Sequence, residues 1–410
     1  MKRSAWLGSI LLAASALSAS ASAFALEGVI DLGPEEVVKA NGKDIVVPGY
    51  SVPSFADWNG DHLKDLVVGE GGGGAPGKIR VYLNGGTEAD PCFADFFYAQ
   101  SKGKDLVFTP EVCLGCFPRV IDWYQDLKND KYQGRRIDLL VGLADGTVKV
   151  FQNSRRTLID SGPDVTPSFD DGTTIMVGPA YLDTLDVGAR ATPIFIDWNN
   201  DGEIDIVAGG LDGGLHLYYN CGCGGYVPPR FSTSPIDGVF AQANGRDLLV
   251  PSGRSSPVVM DVDGDGNKDL ITGNTDGQIL FYKNIGTDAL PIFAGYTMVQ
   301  SNGKPIDLAS NLRSRPSLCY WTGSKDGYWD LLVGYGDGKI HLYRGIPKPG
   351  DFNGNGTLDS DDFTVLVKAL DKPVPPEGLP ADLNHDGVVD NLDLRLFADL
   401  WRAEHGVEKK

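Results

Sequence analysis

Three stretches of this chain place oxygen-bearing side chains at positions one, three, five and nine of a short acidic turn. The first holds Asp57, Asn59, Asp61 and Asp65, the second Asp197, Asn199, Asp201 and Asp205, and the third Asp261, Asp263, Asp265 and Asp269. Alternate side chains of a tight turn can converge on one point, and position seven adds a backbone carbonyl from Leu63, Glu203 or Asn267. An all-oxygen set of this kind suits a hard cation of calcium's size, and calcium is the candidate outside cells. Gly202 and Gly266 at position six ease the turn, whereas His62 occupies that place in the first loop and is expected to weaken it. Two related stretches are poorer: Asp122, Asp126, Asp130 and Asp138 are interrupted by an insertion, and Tyr320, Thr322 and Ser324 lack the first acid. For those two, a solvated turn without an ion is the expectation.

The elements that must hold these loops repeat along the chain. Pro53, Pro118, Pro193, Pro257 and Pro316 each open a short apolar strand that runs into an acidic loop, at intervals of roughly 60–75 residues. Second strands follow as near-continuous apolar runs, Asp65 to Gly69, Asp138 to Gly142, Asp205 to Gly209, Asp269 to Gly273 and Asp330 to Gly334, the pattern of strands buried on both faces. Third strands end in an aromatic (Tyr82, Phe151, Tyr218, Tyr282, Tyr343), and Asp-Gly turns such as Asp276-Gly277 precede four of them. A fourth strand is predicted at Lys102 to Phe108, Asn244 to Val250 and Asn302 to Leu308. The last repeat stops at its third strand, and Asn41 to Val47 carries the missing pattern at the other end of the chain. The expected fold is therefore all-β: a five-bladed propeller closed by an N-terminal strand, which hides its edges. Beyond it lies a small all-α domain of two calcium loops and two helices.

That domain follows the linker at residues 346–350. Asp351 to Asp362 and Asp382 to Asp393 are 12-residue acidic loops, and amphipathic helices are predicted over 363–370 and 394–401. The expected boundaries are 1–25 for a signal peptide, 26–345 for the propeller, 351–404 for the helical domain and 405–410 for a disordered tail. Lys2 and Arg3, the apolar run that follows and an Ala-x-Ala site near Ala23 make the signal peptide. No later run is long enough to span a bilayer, and the chain is expected to be exported.

A formal charge of −19 argues against nucleic acid and anionic membranes as partners. Six cysteines (Cys92, Cys113, Cys116, Cys221, Cys223 and Cys319) in an oxidising compartment predict one to three disulfides, with the pairing open. No nucleophile–base set or phosphate loop is readable, so no catalytic residue is assigned. His216 and His341 share one third-strand position and read as ordinary repeat side chains. Trp58, Trp123, Trp198 and Trp321 each follow the first loop position. Such a series can make an aromatic rim for sugars, though packing between neighbouring blades is the commoner use.

The repeats resemble the FG-GAP/VCBS repeats of integrin-alpha-type propellers over residues 27–345, down to the Gly-Ala-Pro of Gly74-Ala75-Pro76. That resemblance implies structural calcium in the three good loops and a propeller used for binding. The tail is similar to a type I dockerin. Carried over residue by residue, this implies calcium ligands at Asp351, Asn353, Asn355, Thr357 (carbonyl), Asp359 and Asp362, and at Asp382, Asn384, Asp386, Val388 (carbonyl), Asp390 and Asp393. It also implies a cohesin-type partner, chosen through Ser360-Asp361 and Asn391-Leu392. About five calcium sites are expected, three in the propeller and two in the tail. The function implied is a secreted, monomeric, calcium-binding propeller that takes a polysaccharide or other extracellular ligand and docks at a cell surface or complex. The alternative is a polysaccharide lyase or glycoside hydrolase with its active site on the propeller face.

Overall fold

The computed structural model describes residues 29–72, 74–108, 116–123, 137–153, 167–178, 182–220, 229–233, 240–308, 313–323, 328–352, 358–370, 372, 374, 380–384 and 386–405. The signal peptide of 1–25, the inserted stretch of the second repeat and Asn353, Asn355 and Thr357 lie outside them. So do Cys113, Cys221 and Cys223.

Each repeat folds into an antiparallel sheet whose strands pair in chain order. The first holds Val52–Ala56, Asp65–Gly72, Ala75–Asn84 and Phe93–Tyr98, and the second Phe117–Ile121, Asp138–Gly142, Val148–Phe151 and Thr173–Thr174. Thr192–Ile196, Asp205–Gly209, Leu215–Asn220 and Phe231–Thr233 make the third, and Ser256–Met260, Asp269–Gly273, Ile279–Tyr282 and Thr297–Met298 the fourth. The fifth has Arg315–Cys319, Asp330–Gly334 and Ile340–Tyr343, with Glu35–Val37 from the start of the chain as its outer strand, Glu35 opposite Tyr343. The apolar second strands are buried along their whole length, because each sheet is covered on both faces by its neighbours.

The core lies between the sheets. Val67 and Ile79 of the first sheet meet Leu139 and Val141 of the second, and Leu332 and Ile340 of the fifth meet Leu66 and Val68 of the first. The glycine ending each second strand permits this approach. A Cβ on Gly273 would lie 2.1 Å from the carbonyl oxygen of Ser314, and one on Gly142 2.1 Å from that of Ala191. Gly69, Gly209 and Gly334 meet the carbonyls of Cys116, Ser255 and Ser51 in the same way. Only glycine fits there.

The predicted fourth strands are corrected at their starts, while Val46, Phe108, Leu249 and Asp307 near their ends do bridge antiparallel beside the third strands of their sheets. Lys102-Gly103, Asn244-Gly245 and Asn302-Gly303 are tips of two-residue hairpins, and Asn41-Gly42 is a fourth. Both tip residues have positive φ in each, for example 50° and 73° at Asn41 and Gly42, so the chain reverses where an extended strand was expected. The outer strand of the fifth sheet is accordingly Glu35–Val37, upstream of the Asn41 to Val47 stretch. These hairpins tie neighbouring sheets together. The N–H of Asn41 donates to the carbonyl of Phe93 (2.9 Å), that of Lys102 to Phe169 (3.3 Å), that of Asn244 to Phe293 (3.0 Å) and that of Asn302 to Leu32 (3.0 Å).

In the tail, helix α1 spans Ser360–Ala369 and α2 Asn391–Glu404. Both start earlier than predicted, because Asp359 and Asp390 act as N-caps and complete capping boxes with Asp362 and Asp393. His405, expected in a disordered tail, ends α2 with its ring stacked 4.4 Å from Trp401. Leu358, Leu366, Ala381, Val389 and Phe397 make the centre of this small core. Cys92 and Cys319 carry free thiols, so neither supplies a predicted disulfide, and the Cys116 thiol lies 3.0 Å from the carbonyl of Lys78.

Candidate metal centres

The three good loops are built alike from their backbone outward. In the first, Asp57 accepts the N–H groups of Gly60 (2.7 Å) and His62 (3.1 Å), and Asp61 accepts that of Leu63 (2.8 Å). In the second, Asp197 accepts from Asp201 (3.2 Å) and Gly202 (3.0 Å). In the third, Asp261 accepts from Gly264 (2.9 Å) and Gly266 (3.0 Å). Position six has φ of 91° at Gly202 and Gly266, and 76° at His62. A histidine held in that left-handed conformation carries strain that glycine does not.

Position nine plays a part that its spacing alone did not reveal. Asp65 is fully buried; one carboxylate oxygen accepts the N–H of Trp58 (2.8 Å) and the other that of Asn84 (2.8 Å). Asp205 joins Trp198 to Asn220, Asp269 joins Val262 to Asn284, and Asp330 joins Trp321 to Gly345 by the same pair of bonds. Asp330 does so from the eleventh place, counted from Tyr320, in the repeat that lacks a first-position acid. The ninth carboxylate therefore braces the start of the loop against the end of the third strand, whatever else it binds. Burial pushes Asp65 and Asp205 up to about 6 and Asp269 to about 7, against the pull of those N–H groups, and neighbouring loop acids add to the rise. A carboxylate in such surroundings is stabilised by a cation.

The residues present fit a calcium ion. Carboxylate oxygens of Asp261, Asp263 and Asp265 lie within 4.8 Å of one another, close enough to share one ion. The Lys283 ammonium pairs with Asp263 and sits 3.1 Å from Asp265, supplying positive charge where this set demands it.

The second tail loop repeats this construction. Asp382 accepts from Asp386 (3.2 Å) and Gly387 (2.9 Å), and Val388 donates to Asp386 (3.0 Å). The twelfth-position acids are fully buried. Asp393 accepts from Leu383 and Asp390, both at 2.8 Å, and Asp362 accepts from Phe352 (2.8 Å) and Asp359 (2.9 Å). A short Asp belongs there because it closes the capping box and ties the loop's start to its helix in one contact.

Ser360, Asp361, Asn391 and Leu392 are all exposed. Beside them are apolar side chains that the spacing of the pairs did not flag: Phe363 and Val367 on α1, and Leu396 on α2, between 40% and 47% exposed. Their signal was four-residue spacing along each helix, Leu396 standing four residues after Leu392, and Phe363 also reaches the core ring of Phe397 at 5.9 Å. The tryptophans make no rim. Trp58, Trp123, Trp198 and Trp321 are buried in the seams between sheets, Trp58 against Phe169 at 5.6 Å and Trp321 stacked on Phe55 at 4.9 Å. His216 packs on Phe240, and His341 bonds Glu35 (2.6 Å) and Asp337 (3.2 Å), so both are structural.

Residues 197–272 match the FG-GAP-like repeat family, and residues 349–398 match the dockerin type I domain, a calcium-binding domain. No curated protein matches the chain. Among solved structures, BBS1N from its complex with ARL6DN, soaked with mercury, aligns at 12% identity and a TM-score of 0.32, covering 78% of this chain and 98% of that one. Chaetomium thermophilum Raptor aligns at 12% identity and 0.31, covering 73% of this chain and 28% of that one. A glucose dehydrogenase aligns at 14% identity and 0.31, covering 78% and 87%. Likenesses this low carry no argument about function. Among the described residues, no helix is long and apolar enough to cross a membrane.

Proposed function

We propose that this chain, FG-GAP-like repeats followed by a type I dockerin domain, is an exported, monomeric, five-bladed propeller that binds polysaccharide and is docked through its tail to a cohesin-type partner. The ring reading is supported by the cyclic order of the contacts, in which the outer strand of the fifth sheet comes from the start of the chain and the Asn41 hairpin reaches the first sheet. Calcium in the three good loops and the two tail loops would neutralise acids that otherwise repel one another, and would fix each loop's exit. The docking face would be the exposed pairs Ser360-Asp361 and Asn391-Leu392 with the apolar Phe363, Val367 and Leu396 around them.

The dockerin match over residues 349–398 carries this reading, since such a tail serves to place its companion module at an extracellular complex. The polysaccharide is the finer part of the proposal. It is tested by presenting the mature, calcium-loaded protein to a plant and algal polysaccharide array while assaying for new chain ends. Saturable binding without products supports it. New reducing ends or unsaturated uronides would make the propeller an enzyme, and failure to bind any glycan would overturn the ligand class.

A further inference from the structure

Acidic loops follow the inner strands, and the opposite ends of the third, fourth and fifth of those strands carry the opposite charge. Arg190, Arg254 and Arg313 each stand three residues before the proline that opens the inner strand of the third, fourth and fifth sheets. All three have positive φ (58°, 57° and 74°), an unusual conformation for a long side chain and one retained where surroundings impose it. With Arg315 they line a shallow pocket that opens to solvent. Arg313 and Arg315 lie over the ring of Tyr50, at 4.4 and 4.8 Å.

This gathering of cations lacks counter-charge. Among the described residues no carboxylate pairs with any of the four arginines, in a chain of net charge −19. Burial and the other arginines push Arg254 down to about 10 and Arg315 to about 9. Because a guanidinium keeps its proton, that stress is relieved by an anion rather than by deprotonation. Two buried polar atoms on the cavity wall have no hydrogen-bond partner, Arg254 Nη1 and Ser256 Oγ. Orphaned groups of this kind call for a polar partner, which an ion or a water can supply.

We propose that the cavity between Arg190, Arg254, Arg313 and Arg315 is an oxyanion site for an acidic sugar. Guanidinium groups take the carboxylate of a uronic acid or a sulfate ester through paired N–H bonds, Ser256 supplies a hydroxyl, and Tyr50 provides an aromatic edge for the ring. The sugar rests on the glycan-binding reading above; the oxyanion rests on the arginines alone.

The test is calorimetry of the mature, calcium-loaded protein with D-galacturonate, D-galactose 6-sulfate and D-galactose, repeated on Arg254→Asn and Arg313→Asn. Asparagine tolerates positive φ, so the charge is removed while the backbone is kept. At least one acidic sugar should bind tenfold or more tightly than galactose, and whichever does identifies carboxylate or sulfate as the source. Each variant should lose at least tenfold in that affinity, with its sugar-free melting temperature unchanged or raised. If Arg254→Asn does not fold, the partly exposed Arg313 gives the answer alone. Equal binding of galactose, no binding of either acid, or parental affinity in the variants would overturn the proposal. Neutral polysaccharide bound equally by the parent and both variants would sink this site and leave the proposed function standing. Arginine-dependent binding of an acidic sugar with no polysaccharide bound would do the reverse.

Discussion

The phenol of Tyr328, in the fifth repeat, donates a hydrogen bond to the carboxylate of Asp351, which opens the first tail loop, and accepts one from the N–H of Lys348 at 3.1 Å. Burial and the adjacent carboxylate push the phenol well above its ordinary range, so it remains a donor. One side chain thus joins the repeat body, the linker and a predicted calcium ligand. Tyr328→Phe should weaken calcium binding at one tail site by about tenfold, the scale of a lost hydrogen bond to a charged group. Calorimetric titration of the parent and the variant reads this directly, and identical isotherms would show that the joint does not hold the loop.

His62→Gly should stabilise the first sheet. The histidine sits at φ 76° where the second and third loops have glycine at 91°. Relief of that strain is expected to contribute about 0.5–1 kcal/mol and to tighten calcium at that loop. Melting temperature with and without calcium is the measurement, and a lower value in both would mean that the His62 side chain makes a contact worth more than the strain.

Gly273→Ala should be severely destabilising. Its methyl would meet the Ser314 carbonyl at 2.1 Å, and neither backbone can yield without parting two sheets. A loss of about 3 kcal/mol is expected by denaturant unfolding. Wild-type stability would show that the sheets are less tightly juxtaposed than this distance requires.

The brace and the metal ligand can be separated. Asp330→Asn removes the carboxylate brace from a repeat without a first-position acid, so its cost should be the same in EDTA and in calcium. Asp205→Asn removes both roles, so its cost should be larger in calcium. Melting curves under both conditions decide the matter. Chelation alone should disorder the tail first, because its core is too small to stand without metal.

The pairing of His341 with Glu35 holds the N-terminal strand, and its contribution should depend on pH. Burial disfavours the charged imidazole, but bonds to Asp337 and Glu35 outweigh it and raise the value above 6.5. A raised histidine stabilises fully below its unfolded value and loses that contribution as pH climbs through the folded one. The melting-temperature gap between the parent and Glu35→Gln should therefore be widest below pH 6.5 and close at alkaline pH. A gap that widens with rising pH would assign the wrong sign to the pair.

Features that depend on neighbours along the chain were legible before any fold was known. Ligand spacing in the acidic loops, the buried second strands and the two capped loop–helix units of the tail are local patterns, and each is legible because a turn or helix is set by residues a few places apart. Even locally, Asn41-Gly42 and its three counterparts read as parts of strands, although two adjacent residues able to adopt positive φ signal a reversal. Tertiary structure decided what arises only when the sheets meet. The ninth-position carboxylates became braces because the third strand ends beside the loop, and the tryptophans became seam residues because a neighbouring sheet covers them. Arg190, Arg254 and Arg313 recur at one offset from a proline, yet each alone is a lone charge in a turn. They form a site only because their inner strands lie side by side, which brings like charges from distant parts of the chain to one solvent-facing cavity.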